Sequence, residues 1–404
     1  MKIEPIAVGR PSLLRRTNAL TILRLLREAG PCSRADLVRA SGMSAPTVTN
    51  VVSELLAANL IKPLGEGESS GGRPPDMIRF KSERGCILGV QISAHVLSFL
   101  LTDLSGEELD FAKVPLDGHQ TNPVAICALI GEEIRRLFRK HKKARDQLLA
   151  LVVGVPAITN VEEGIVLSIS TLEAWRSVPL RRLLSKQLDC LIVIENDTNL
   201  AAVGERFRGA ARTEPTFVLI DIGANVSAGI VLEGTLYHGA QWSAGEIAYL
   251  RLPRVLRKPP GLHEFGELES VLTSSGILNS WNGGIAKARP GTTPSPTQTD
   301  AQGILNLAQA GDPLARKIIL HRAAIVADVI VNLSLVLNPG LILLGGKVGT
   351  HPTLFRFVTN ELEGSEFAVP KIAAASLGES AVLWGAIAIA LEVVPSVLLP
   401  QPIS

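Results

Sequence analysis

Two stretches of this chain share one layout, and that repetition constrains the fold more than any other feature. "CILGVQISAHVLSFLLTDLSGEEL", starting at Cys86, reads as a strand, a short turn, a second strand and a Ser105-Gly106 turn into a third. "TFVLIDIGANVSAGIVLEGTLYHG" repeats the layout about 130 residues later. Each unit is followed by segments with helical spacing, so the expected fold is a duplicated α/β domain in two lobes with a ligand cleft between them. The intervening sequence agrees. "LLALVVGVPAI" is a buried strand ending in a Pro turn, "LIVIENDTNLAAVGERF" is a strand running into a helix, and "LILLGGKVG" repeats the theme near the end. Asn196 and Asp197 fall at a strand's carboxyl end, where open α/β sheets place ligand contacts. "ARPGTTPSPTQTD" reads as a Pro/Thr/Ser-rich surface insertion.

At 404 residues the chain exceeds one compact core, and its first part has a different character. From Thr17 to Leu60 three helical patterns follow in quick succession. Ala19, Ile22, Leu23 and Leu26 form the first apolar stripe, stopped by Gly30-Pro31. Ser33, with Asp36 three residues on, is a capping box for a short second helix that ends by Gly42. Ser44 caps a third helix with Val48, Val51, Val52, Leu55 and Leu56 on its buried face. A short helix, a Gly-containing turn and a longer helix are the parts of a helix-turn-helix. Its outward face, Ser44, Ala45, Thr47, Thr49 and Asn50, carries small and amide side chains suited to a major groove. "LIKPLGEGESSGGRPPDMIRF" then reads as a wing, with Arg73 at a glycine turn placed for a minor groove. A protein-binding three-helix module and a plain interdomain linker are the alternatives for these two segments. The expected division is residues 1–80 as a winged helix-turn-helix and 81–404 as the two-lobed domain.

Composition narrows the classes. A 46% hydrophobic and 19% charged content is that of a globular protein. Cys32, Cys86, Cys127 and Cys190 are far apart with no CxxC pair, so neither a zinc ribbon nor a disulfide framework is expected, which fits a reducing cytoplasm. The first residues have no basic-then-apolar signal pattern. "AVLWGAIAIALEVVPSVLLP" is membrane-like, but Glu392 and Pro395 interrupt it, so it reads as a buried terminal helix with no membrane partner. Net charge is only +2, yet residues 1–75 hold ten Lys/Arg against six Asp/Glu, a mild polyanion signal.

Taken together, these residues resemble the ROK family (repressor, open reading frame, kinase), in its transcription-regulator branch. "NALTILRLLREAGPCSRADLVRASGMSAPTVTNVVSELLAANLI" and "GGRPP" resemble its winged-helix half; "GVPAI", "ENDTNLAAVGE" and "GAQWSAGEIAY" resemble its sugar-kinase half. The resemblance implies an actin-like ATPase fold and, for kinase members, phosphate transfer from ATP to a sugar hydroxyl. It makes Asp197 the general-base position, Glu246 and Glu269 sugar-hydroxyl ligands, and Tyr249 the replacement for a His that serves sugar and zinc. The first phosphate loop departs from the family pattern: "QISAHV" has Gln91 at the acidic position and Ser93, Ala94 and His95 at the turn. The second reads "GANVSAG", with Asn225 and Ser227 in place of glycines, where a Cβ hinders close backbone approach to phosphate. Pro260, Leu262 and Glu267 stand where zinc-binding members have cysteines, and His263 is isolated, so no metal and no cofactor are expected.

The expectation is a cytoplasmic regulator, with no catalytic residue, that binds double-stranded operator DNA, senses a sugar through Asn196, Asp197, Glu246, Tyr249 and Glu269, and assembles as a homodimer or homotetramer. Asp197 then survives as a polyol acceptor. A second reading has Asp197 capping the following helix while Asn196 fills the turn. A DNA-binding sugar kinase and a ligand-blind regulator with a decayed cleft are the competing functions.

Overall fold

The computed structural model describes residues 11–66, 76–142, 145–168, 173–255, 266–288, 300–363 and 369–399. At the amino end, α1 (Pro11–Ala29), α2 (Arg34–Ser41) and α3 (Ala45–Ala57) pack with β1 (Cys32–Ser33), β2 (Ile61–Glu66) and β3 (Asp76–Phe80), which form a sheet in the order β1-β3-β2. The capping signals act where the sequence places them. Ser33 Oγ accepts from Asp36 N at 3.2 Å while Asp36 Oδ2 accepts from Ser33 N at 2.9 Å, and Gly42 closes α2 at φ +69°. Ile22, Leu26, Leu37, Val48, Val52 and Leu55 bury completely or nearly so in the shared core. Helix α1 starts at Pro11, upstream of the expected Thr17, as a Pro at the first helical position needs no N–H partner. Strands β2 and β3 form the expected wing, in register from Ile61↔Phe80 to Glu66↔Asp76. The wing tip with Arg73 lies outside the described residues, as do Pro260, Leu262 and His263 and all of the Pro/Thr/Ser-rich insertion except Ala288 and Asp300.

The first lobe contains β4 (Cys86–Ile92), β5 (Val96–Asp103), β6 (Glu108–Pro115), α4 (Pro123–Lys140), β7 (Leu148–Val155), a ribbon of β8 (Ile158–Asn160) and β9 (Ile165–Ser168), α5 (Leu180–Leu184), β10 (Leu191–Asn196) and α6 (Asp197–Phe207). The second contains β11 (Phe217–Ile222), β12 (Val226–Leu232), β13 (Thr235–Leu236), α7 (Glu269–Leu272), α8 (Ser274–Ala288), α9 (Ala301–Ala310), α10 (Pro313–Leu337), β14 (Leu341–Gly345), α11 (Gly346–Gly349), α12 (Pro352–Leu362) and β15 (Lys371–Ala374). The sheets run β10-β7-β4-β5-β6 and β15-β14-β11-β12-β13, one topology used twice. In each, an antiparallel hairpin pairs in parallel with a later strand: β4 with β7, and β11 with β14.

From β15 the chain returns to the first lobe as α13 (Ala381–Leu398). Its Leu383, Ala386 and Ile387 pack on Ile87, Leu100 and Val152 of the first sheet, and burying an Ile such as Ile387 contributes about 1.5–3 kcal/mol. Helices α6 and α13 cross in near-contact: a Cβ on Gly385 would lie 1.8 Å from Leu200 O, and one on Gly204 2.1 Å from Ala381 O. By length and composition α10 and α13 could each cross a membrane, but 56% of the apolar stretch in each is buried inside the protein. The expected buried terminal helix is α13, which carries Pro395 inside it and continues to Leu398. Pro395 lacks an N–H for Leu391 O, and that freed carbonyl accepts from Arg27 Nη1 of α1 at 2.8 Å. The end of α13 is thereby tied to the winged helix, and Leu398 and Leu399 pack against the winged-helix core.

Candidate functional site

The start of α3 presents the expected reading face. Ser44, Ala45, Thr49 and Asn50 are exposed and Thr47 is half-buried, while Val48, Val51 and Val52 on the same helix are buried. Not every polar group there is free. Ser44 Oγ caps α3 by accepting from Thr47 N at 3.4 Å and bonds Thr47 Oγ1 at 2.8 Å, and Thr49 Oγ1 donates to Ala45 O at 2.9 Å. Asn50 is thus the exposed amide of the face, and an amide can form a bidentate pair with adenine.

In the two-lobed domain, Asn196, Asp197, Glu246, Tyr249 and Glu269 all line one cavity, together with Pro156, Ala157 and Asn225. Their elements explain the convergence. Asn196 ends β10, Asp197 opens α6, Glu246 precedes a tight turn over Ile247–Tyr249, and Glu269 opens α7. The capping roles are the reverse of the second reading. Asn196 is the cap: its Oδ1 accepts from Asn199 N at 3.0 Å and its Nδ2 donates to Ala157 O at 3.1 Å. Asp197 Oδ1 accepts from Thr198 N at 2.8 Å, which leaves Oδ2 to face the cavity. Tyr249 is 53% exposed and stands at the rim, whereas Glu269 is buried and Glu246 half-buried. The cavity holds only about 60 Å³, far below the roughly 300–1,000 Å³ of small-molecule sites, so a sugar enters only if the lobes part.

Burial governs the charges here. It pushes the Asp197 carboxyl up to about 7, helped by the negative charge of Asp221. Burial also lifts Asp221 to about 6, Glu269 to about 7 with help from Glu246, and raises Glu246. The Tyr249 phenol is raised by burial and by Glu246 and Glu269. Asp197 and Glu269 each feel a neighbouring acid, chiefly Asp221 and Glu246 respectively, so the charged form of each is disfavoured.

Asp197 also lines a second, adjoining cavity of about 250 Å³ with Gln91, Asp221, Gly346, Lys347 and Glu379. Asp221, Lys347 and the buried pair Glu195–His238 escaped the sequence reading. The signal for Asp221 was present, as it ends the strand before the altered "GANVSAG" loop; nothing local marks Lys347. His238 Nε2 donates to Glu195 Oε2 at 2.7 Å, joining the second lobe to the first, and this bond raises the His238 pKa. Lys347 Nζ lies 3.0 Å from Glu379 Oε1, and Lys113 Nζ of β6 lies 3.3 Å from Glu379 Oε2. In the second loop the Asn225 amide nitrogen donates to Glu269 Oε1 at 3.2 Å, and Ser227 Oγ bonds Thr198 Oγ1 at 2.5 Å. Among the described residues no group of three or more His, Cys, Asp or Glu is arranged to hold a metal ion.

The ROK family model matches residues 87–393, most of the chain. The chain belongs to the ROK family. The MarR family model matches residues 17–62, the helical part of the winged helix, so the ROK fold here carries an added amino-terminal module. The "Xylose repressor" of Caldicellulosiruptor bescii is 24% identical over 395 residues, spanning 95% of this chain and 98% of that protein. The "DNA-binding transcriptional repressor Mlc" of Escherichia coli is 27% identical over 352 residues, spanning 84% of this chain and 83% of its own. A crystal structure of a ROK family transcriptional regulator, a homolog of the Escherichia coli protein MLC, superposes with a TM-score of 0.77 at 24% identity over 96% of this chain and 98% of that one. The fold is therefore a winged helix joined to an actin-like, sugar-kinase-type domain.

Proposed function

We propose that this protein is a cytoplasmic DNA-binding transcriptional regulator, a repressor of carbohydrate-related genes, in which residues 1–80 read operator DNA and 81–404 sense a sugar or sugar derivative and assemble the oligomer. The observation that supports this reading is the pairing of an exposed helix-turn-helix face with a cavity lined by Asp197, Glu246 and Glu269, beside loops that depart from the family's phosphate-loop pattern. Asp197, Glu246 and Glu269 face one cavity. Gln91 stands where a metal-assisting carboxylate is needed, Asn225 is bonded to Glu269, and Lys347 is paired with Glu379. Phosphoryl transfer depends on charge stabilisation and phosphate positioning, so Asp197 beside these altered loops serves as an acceptor for a hydroxyl. The names of the related repressors support the DNA-binding role. A dimer would read two half-sites about one helical turn, or a multiple, apart.

The helix pair offers the coupling route. Asp197 opens α6, α6 crosses α13 at Gly204 and Gly385, and α13 ends on Arg27 of the winged helix. A sugar that parts the lobes therefore moves the seat of the DNA reader.

The test is fluorescence-anisotropy titration of the full chain against DNA flanking its own gene, at two salt concentrations, with and without a sugar panel. Tight, salt-dependent binding shifted by one sugar is expected. Asn50→Ala should relax sequence preference by about 1–3 kcal/mol at one base pair, and Arg73→Ala should weaken binding and flatten its salt slope. Glu246→Gln should abolish the sugar response and leave DNA affinity intact. Phosphorylation of a hexose by the wild type, lost in Asp197→Asn, would overturn the assignment.

A further inference from the structure

Helix α1 has two working faces. Ala19, Ile22 and Leu26 serve the winged-helix core, while Arg16, Leu20, Arg24 and Arg27, spaced at one helical turn, look toward α13. Between α1 and α13 lies a cavity of about 270 Å³ whose apolar wall includes Leu20, Phe80, Leu391 and Val394. Its charged lining is unbalanced: three arginines against Glu392. Among the described residues, Arg16 and Arg27 are poorly matched. Arg16 Nε is buried without a hydrogen-bond partner, and Arg27, beyond its bond to Leu391 O, has an acidic oxygen of Glu28 only at 3.9 Å. Burial of the Arg27 guanidinium lowers its pKa, the sign of a cation held in an apolar setting without a full counter-charge.

An apolar chamber with arginines along one wall, one of them with a buried and unpartnered Nε, suits an organic anion with a planar carboxylate, which Arg binds through two parallel hydrogen bonds. We propose that this interdomain cavity is a binding site for a small amphipathic carboxylate, an aryl or short alkyl acid, which fastens the DNA-reading domain to the effector domain. The carboxylate pairs with Arg16, whose Nε is buried without a partner, Arg24 and Arg27 add positive charge further along α1, and the apolar body fills the space between Leu20 and Leu391. The site lies at the joint made by Arg27 and the Pro395-freed carbonyl, so its occupancy stiffens the connection through which the cleft reaches DNA. It is separate from the sugar cleft, and the proposal stands or falls independently of the sugar-sensing reading.

The experiment is ligand-observed NMR titration of the full chain with sodium benzoate and sodium hexanoate, and with benzyl alcohol as the uncharged control. At least one acid is expected to bind saturably, at least about tenfold more tightly than the alcohol. Arg16→Gln and the cavity-filling Leu20→Trp should each weaken that binding about tenfold or more, with Glu246→Gln in the cleft leaving it unchanged. Circular dichroism checks that the variants fold. Should Leu20→Trp not fold, Arg16→Gln alone decides. Three outcomes would each overturn the proposal: neither acid saturates by about 10 mM, acid and alcohol bind alike, or the folded variants bind like the parent.

Discussion

The two lobes use the same sheet twice and differ in chemistry at an equivalent strand position. In the first, Gln91 pairs with Ser98 across the hairpin and with Gly154 on the parallel strand. In the second, Asp221 pairs with Ser227 across the hairpin and with Gly345 on the parallel strand. The two positions are equivalent by register, and both side chains line the same cavity beside Asp197. At this position the first lobe carries an amide and the second an acid. The scaffold shows no such divergence: the helices following the last parallel strand of each sheet, α6 and α13, meet glycine to glycine. The comparison separates what the fold needs from what phosphate chemistry needs. The close crossing is enforced by packing, whereas the equivalent strand-end position takes either an acid or an amide.

The largest effect is expected where the halves join. Gly385→Ala puts a methyl 1.8 Å from Leu200 O, a backbone atom that can yield only if α6 moves with it. Such overpacking costs about 1–3 kcal/mol. Urea unfolding should show a lowered midpoint, and the shift of α6 should also blunt the effect of any sugar on operator affinity. An unchanged midpoint would mean the helices separate freely and do not form a joint.

Much of this architecture could be read directly from the sequence. The hairpin repeat, the Ser33–Asp36 capping box and the Ser44 cap follow from local patterns, since caps and alternating strands are short-range physics, whereas Glu246 and Glu269 come only from the family resemblance. What escaped was long-range. Asp221 became relevant only when sheet register set it beside Asp197, and the Glu195–His238 bond joins residues from different lobes. The roles of Asn196 and Asp197 were exchanged because either side chain can cap a helix, and the choice depends on Ala157 O, supplied by a distant strand end. Pro395 is held inside α13 by another long-range contact. A proline stops a helix when its orphaned carbonyl has no partner, and here Arg27 supplies one.

Asp197→Asn tests the electrostatic half of the comparison. The Asp197 carboxyl rises from the ordinary 3.8 to about 7 on folding, so folding favours its protonated form. That contribution is fully present below the unfolded value and is lost as pH rises through about 7. At pH 8 the native protein holds a poorly solvated negative charge beside Asp221, and the amide should stabilise it by on the order of 1–2 kcal/mol. At pH 5, inside the window between 3.8 and about 7, the gain should be clearly smaller, and it should vanish only below the unfolded value. Thermal melts of both proteins at the two pH values measure the difference. A gain equal at both would assign it to packing and remove the charge argument.

The smallest effect concerns the divergence itself. Gln91→Asp restores in the first lobe the acid that the second retains, and so makes the two strand ends chemically alike. With Asp197 and Asp221 on the same cavity, a third carboxylate should push the Asp197 pKa higher still and cost on the order of 1 kcal/mol at pH 8, less at pH 5. It should not create a kinase, because Asn225 still bonds Glu269 and Lys347 still pairs with Glu379. An assay of ATP hydrolysis with and without hexoses decides this. If the one substitution produced turnover, the first-lobe acid alone would separate sensor from enzyme. If it produced none, the loss is distributed across both loops, and the altered second loop is as much a part of the sensor as the altered first.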